Sequence, residues 1–182
     1  MLDDEQVMSQ VRDDRVEMLA ILFERHHVRL YNFFLRLTSD RQLSQDLVQE
    51  VFLRILKYRH SFRGDSKFTT WMYQIGRNAH IDQLRARRPE MPLDEAWEQK
   101  PSLQPRPEQK AESDQQADLL SRALERLPLR KREVLLLSRF QDLKYQEIAG
   151  LLKCSVESVK VQVHRSLKEL RRQYLELQGE IQ

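Results

Sequence analysis

Five of the six prolines, at positions 89, 92, 101, 105 and 107, lie between Arg88 and Ala111. Proline has no amide hydrogen and its ring clashes with the preceding turn, so no helix runs through this stretch. The segment PEMPLDEAWEQKPSLQPRPEQK also lacks apolar periodicity, and it reads as a linker of roughly 25 residues. The chain must therefore fold as two small blocks. With only 4 Gly among 182 residues, a turn-rich β-sandwich or a Gly-rich phosphate-binding fold is excluded, and the Leu, Gln, Glu and Arg content favours helices. The expected fold is all-α: two small helical domains joined by a Pro-rich acidic linker. A single cysteine, Cys154, excludes a disulfide framework and a multi-cysteine zinc site. The longest apolar run, Met18–Phe23, is far short of the ~20 residues of a membrane span. The start, MLDDEQ, is acidic, unlike a secretory leader, so a cytoplasmic location with no membrane insertion is expected. No internal repeat is present.

Charge is arranged in blocks. Residues 1–24 carry net −5, 25–88 net +8, 89–120 net −5 and 121–182 net +5. Two basic blocks separated by an acidic one point to two contacts with a polyanion, though solvated helix faces would look the same.

In the first block, Val16, Leu19, Phe23, Leu30, Phe33 and Leu37 recur at helical spacing, with His26 on the same seam as a packed core histidine. Thr38-Ser39-Asp40 ends this helix and caps the next. The second helix, about 41–59, buries a Leu43-Leu47-Val51-Ile55 stripe. Val48, Phe52 and Leu56 widen its apolar surface, rimmed by Asp46, Gln49, Glu50 and Lys57. On the residues alone this is either a protein-binding face or a helix sandwiched between two others, and the sandwich is favoured. Gly64-Asp65 marks a loop over 60–67. Ser66 or Thr69 can cap a third helix running to about Arg87, on which Asn78, Asp82 and Arg85 share a face. Tyr58, Phe62, Phe68, Trp71 and Tyr73 interleave with Arg59, Arg63, Lys67, Arg77, Arg85, Arg87 and Arg88, the composition of a single-strand nucleic-acid surface. Trp71 is expected in the core.

In the second block, Leu119–Leu127 and Leu129–Phe140 read as two short helices divided by Pro128. Tyr145–Lys153 is a third, with Ala149 small enough for a close crossing. After a turn at Lys153-Cys154, Ser155 is a natural N-cap for a long helix bearing Val156, Val159, Val163, Leu167, Leu170 and Tyr174 on one stripe. Its other face shows Ser158, Lys160, Val161, Gln162, Arg165 and Lys168. This is a helix-turn-helix, whose second helix would enter a major groove. Cys154 reads as a small filler.

At this point DLVQEVFLRIL, FRGDSKFTTWMYQIGRN and LPLRKREVLLLSRF…YQEIAGLLKCSVESVKVQVHRSL, in this order, resemble bacterial sigma factors of the extracytoplasmic-function type over about 15–175. The resemblance implies a mobile acidic N-terminus (1–14), a region-2 domain (15–88), a linker (89–117) and a region-4 helix-turn-helix domain (118–177). It implies that Asp46, Gln49, Glu50, Phe52, Leu53 and Lys57 grip core RNA polymerase, which reverses the preference for a sandwiched helix. It implies that Phe62, Arg63, Asp65, Ser66, Lys67, Phe68, Thr69, Arg77, Asn78, Asp82 and Arg85 bind the −10 element of promoter DNA, the loop capturing a flipped base. It implies that Ser155, Ser158, Lys160, Val161, Gln162, Arg165 and Lys168 read the −35 element. An anti-sigma factor, which could hold the chain at the inner membrane, is the expected regulator; no cofactor, no metal site and no homo-oligomer are expected. Lys153 departs from the family's frequent turn glycine, and Val161-Gln162 from its common small residue and Arg. The −35 preference is therefore not inferred. The acidic linker would either occupy a nucleic-acid channel of the polymerase or simply solubilise.

A stand-alone LuxR-like regulator shares the C-terminal patterning, but residues 15–88 show no receiver or ligand domain beside it. An enzyme is excluded as a reading because the five histidines (26, 27, 60, 80 and 164) form no metal-ligand or nucleophile spacing.

Overall fold

The structure, a computed structural model, describes residues 2–87, 92, 112–141 and 143–180. The described residues form helices and no strand, in two compact units. The first contains α1 (Asp4–Arg12), α2 (Leu19–Thr38) as far as Leu35, α3 (Arg41–Lys57) and α4 (Phe68–Arg87). The second contains α5 (Glu112–Glu125), α6 (Leu129–Leu135), α7 (Tyr145–Leu152) and α8 (Val156–Glu180). Most of the expected linker lies outside the described residues, but α5 begins at Glu112, ahead of the expected domain start at 118.

In the first unit the Leu43-Leu47-Val51-Ile55 stripe is buried as its spacing requires. Asp40 caps α3, its carboxylate accepting the Leu43 amide at 2.9 Å. On α2 the expected seam residues His26, Leu30, Phe33 and Leu37 are buried, but its start differs from expectation. A 3-10 turn over Val16–Met18 delays the helix to Leu19, and Leu22 is buried there while Val16 and Phe23 stay exposed. At Gly76 the α2, α3 and α4 helices meet closely: a Cβ there would lie 3.0 Å from Phe34 Cζ and 3.5 Å from Val51 Cγ2. Trp71 is half-buried at the core's edge, its ring against Phe62 and Phe68.

The expected mobile N-terminus is instead a docked helix from Asp4. Asp3 and Gln6 form a reciprocal capping box, and Val7, Met8 and Val11 are fully buried. Three apolar residues on one face of a nine-residue helix are enough to dock it, although its acidic composition hides them.

In the second unit α8 packs against α5, α6 and α7. Its buried seam runs Val159, Val163, Ser166, Gln173 and Leu177, with Leu170 and Tyr174 partly buried beside Leu119 and Ala123. The expected helix over 129–140 is an α-helix that widens into a π turn at Leu136–Phe140. Lys153 closes α7 in the left-handed conformation (φ 54°, ψ 48°), so the turn forms without glycine. A Cβ is disfavoured there, and glycine's larger unfolded-state entropy takes back only part of that cost. Lys153→Gly is therefore expected to stabilise the second unit by about 0.5–1 kcal/mol, read as a rise in its thermal midpoint.

Candidate nucleic-acid and protein interfaces

Each helix presents its predicted residues by simple periodicity. On α3, Asp46, Gln49, Leu53 and Lys57 are exposed, and Glu50 is half-buried beside them, all within one arc of a cylinder that turns about 100° per residue. Leu53 is 63% exposed, unusual for an apolar side chain with a core available. It borders an open apolar groove of about 310 Å³ lined by Leu19, Gln49, Phe52, Leu53 and Leu56. Phe52, expected as a contact, is instead 7% exposed, its ring edge-on to Phe23 at 5.0 Å. Val48 is buried too. The apolar patch read from sequence at Val48, Phe52 and Leu56 is therefore mostly core, with Leu56 half-buried, and Leu53 beside it is the exposed apolar residue.

Arg54, which was not singled out from the sequence, joins residues assigned to different faces. Its guanidinium donates to Glu50 at 2.6 Å and to Asp82 of α4 at 2.7 Å. Burial pushes the guanidinium down, but these carboxylates outweigh it and hold its pKa above the ordinary arginine value. The Glu50–Arg54 spacing of four was legible; its extension to Asp82 depends on how α3 packs against α4.

The loop between α3 and α4 exposes Arg63, Gly64, Asp65, Ser66 and Lys67, with Gly64 at φ 74° where glycine is favoured. Thr69 and Arg77 are half-buried, while Asn78, Asp82 and Arg85 are exposed along one face of α4. Phe62 and Phe68, expected to meet the strand, are 3% and 0% exposed. They pack with Trp71 and His26, because aromatic rings flanking a short loop gain more from the core beneath it than from water. The loop thus offers cations and polar groups, with its aromatics beneath.

The α4 N-terminus is capped differently from expectation. The helix starts at Phe68, whose amide donates to the Glu5 carboxylate at 2.8 Å, and the Lys67 carbonyl accepts the Trp71 amide at 3.2 Å. The neighbouring Asp4 receives Arg25 at 2.7 Å and His26 at 2.6 Å. Burial raises the Asp4 pKa, yet these two partners outweigh it and leave the carboxyl below its ordinary value. No sequence signal local to Phe68 points to Glu5.

In the second unit, Ser155 caps α8 as expected, its hydroxyl accepting the Ser158 amide at 3.1 Å. Val161, Arg165 and Lys168 are exposed, and Ser158 and Gln162 are half-buried. At about 100° per residue these five span one side of the helix, whereas Lys160, also exposed, lies on the far flank from Gln162. The Gln162 amide donates to Ser158 Oγ at 3.0 Å, with Cys154 Sγ at 3.9 Å. Farther along, Arg172 is held between Glu169 and Glu176, which leaves Lys168 as the more available cation. Among the described residues no His, Cys, Asp and Glu side chains converge as metal ligands, and no helix is long and apolar enough to cross a membrane.

Comparison with known proteins follows the same division. The Sigma-70 region 2 profile matches residues 22–90, and the Sigma-70 region 4 profile matches residues 117–170. The ECF RNA polymerase sigma factor SigX of Bacillus subtilis is 30% identical over 161 residues, covering 86% of this chain and 83% of that protein. The ECF RNA polymerase sigma-E factor of Escherichia coli is 30% identical, covering 89% and 92%. Among solved structures, the sigma factor RpoE of Bartonella quintana, in complex with the anti-sigma factor NepR, is similar with a TM-score of 0.67 and 25% identity, covering 89% of this chain and 96% of that one. With both regions matched in order across two helical units, and a helix-turn-helix in the second, the chain belongs to the ECF family of RNA polymerase sigma factors.

Proposed function

We propose that the chain confers promoter specificity on RNA polymerase through three surfaces and performs no catalysis itself. The exposed α3 stripe of Asp46, Gln49, Glu50, Leu53 and Lys57 binds core RNA polymerase. The 63–67 loop and the Asn78-Asp82-Arg85 face of α4 take the −10 strand, where an amide that both donates and accepts suits a base edge. The α8 face of Ser158, Val161, Gln162, Arg165 and Lys168 enters the −35 major groove. The boundaries expected from sequence, about 15–88 and 118–177, are widened here, since α1 belongs with the first unit from Asp4 and α5 opens the second at Glu112. The Bartonella relative's complex with an anti-sigma factor supports a similar regulator here, covering the apolar groove beside Leu53. The chain itself would remain in the cytoplasm, with such a regulator able to hold it at the inner membrane.

The observation that carries this reading is the match of both sigma regions, in order, to the two helical units. It is tested by binding the purified chain to sigma-free core RNA polymerase and selecting promoters from a randomised pool. Tight binding with two spaced motifs is the expected result. Duplex DNA binding without polymerase binding would instead favour a stand-alone regulator. Within that assay, Lys168→Ala is expected to weaken all sequences alike and to reduce the salt slope by about 0.9, one phosphate contact. Gln162→Ala is expected to change the preferred −35 sequence, with about 1–3 kcal/mol of discrimination lost at one position. A uniform loss from both substitutions would overturn the groove assignment.

A further inference from the structure

We propose that α1 and the turn that follows it brace the −10 loop at its two ends, and that Glu5 is a positioning residue for strand capture. The inference rests on the reading of the 63–67 loop as the −10 contact, and gives the acidic N-terminus a role.

Three observations meet here. First, the amide of Phe68, the first residue of α4 after the loop, donates to Glu5 at 2.8 Å. The first amides of a helix have no intrahelical partner, and Lys67, the residue just before this helix, has no side-chain acceptor oxygen for them. A carboxylate brought from another helix takes the first of these amides, where the helix dipole also favours negative charge. Second, the turn that precedes the loop, Arg59–Ser61, is held by Asp14, whose carboxylate accepts Arg59 Nη2 at 2.8 Å and Nε at 3.1 Å. Third, α1 is not loosely placed: Val7, Met8 and Val11 are fully buried, and Asp4 ties it to Arg25 and His26 of α2. The His26 ring lies in turn 5.4 Å from that of Phe68. Between the two tethers residues 63–67 run exposed above the buried Phe62. A loop that must receive a base within about 0.5 Å depends on rigidly held elements at its ends. Glu5 bears more of this than Asp14, whose carboxylate is largely open to water.

The test uses the full chain bound to core RNA polymerase and a fork-junction DNA with an unpaired −10 strand. Glu5→Ala is expected to speed hydrogen exchange at the Phe68 amide by about tenfold and to weaken fork capture about five- to tenfold, with affinity for core polymerase and for −35 duplex unchanged. Glu5→Gln keeps an acceptor oxygen and is expected to recover most of both effects. Asp14→Asn is expected to change capture about twofold or less. Unchanged Phe68 exchange would show that Glu5 is not the cap. Faster exchange with normal capture, or an equal loss of capture and of polymerase binding, would also overturn the brace. An Arg63→Ala/Lys67→Ala double variant separates the two readings. If it loses capture while Glu5→Ala does not, the brace fails and the loop assignment stands. If it captures the fork normally, the loop assignment falls and takes the brace's function with it.

Discussion

Leu53→Glu is expected to lower affinity for core RNA polymerase by at least about thirtyfold while leaving thermal stability unchanged within error. Leu53 is 63% exposed in the free chain, so replacing it removes little packing. A Glu at this position lies four residues before Lys57, which offsets repulsion from Glu50 three residues earlier. In a complex the same position would bury a carboxylate at the apolar contact Leu53 makes, with no water to solvate it. An apolar anchor within a ring of polar neighbours, here Asp46, Gln49 and Lys57, is the usual anatomy of a dominant contact. The control is Leu175→Glu: Leu175 is 53% exposed on α8, outside every proposed surface, and its replacement is expected to change neither property. Equilibrium binding of both labelled variants to core polymerase, beside circular-dichroism melts, reads the comparison. An affinity for Leu53→Glu within threefold of the parent would remove α3 from the polymerase interface.

Local chemistry made much of this chain legible. Asp40 and Ser155 cap the helices that their side-chain oxygens predict, and the Leu43-Leu47-Val51-Ile55 stripe is buried because a 3.6-residue period leaves it no other place. Contacts between segments distant in sequence were not legible. Glu5 caps Phe68 across 63 residues, and nothing near either residue announces it. The α1 helix was hidden because Asp3, Asp4 and Glu5 dominate its composition, while Val7, Met8 and Val11 make too short a pattern to stand out. Phe62 and Phe68 misled in the other direction. Aromatics among arginines are equally the composition of a stacking surface and of a small core beneath a basic loop, and only packing distinguishes the two. The candidate surfaces were thus found as stretches of sequence, and the structure sorted their members into exposed contacts and buried supports.

Arg132 shows the cost of that blind spot, since periodicity counts an arginine as solvent-facing and this one is fully buried. Its Nη2 donates to the carbonyls of Glu125 at 2.6 Å and Leu127 at 3.1 Å. These belong to the end of α5 and the residue before Pro128, where helix carbonyls run out of partners. Burial pushes the guanidinium down to about 10, so it is still charged at neutral pH, and carbonyl dipoles compensate part of that charge. Arg132→Ala is expected to destabilise the second unit by about 3–5 kcal/mol, through a cavity and buried carbonyls left without donors. Arg132→Met fills the space and removes the charge, so it is expected to cost less, about 1–3 kcal/mol for the unpaired carbonyls alone. Arg132→Lys is not a conservative replacement, because a shorter, flexible stem ending in a strongly hydrated ammonium does not hold a nitrogen where the rigid guanidinium plane places Nη2 between the two oxygens. Denaturant melts of the full chain order the three variants. Binding shows where the damage lies: for Arg132→Ala, affinity for −35 duplex is expected to collapse, while binding to core polymerase through the first unit falls only a few-fold. Equal stability of the Ala and Met variants would mean that the carbonyls find water and that the side chain's volume, rather than its hydrogen bonds, is what α5 and α6 require.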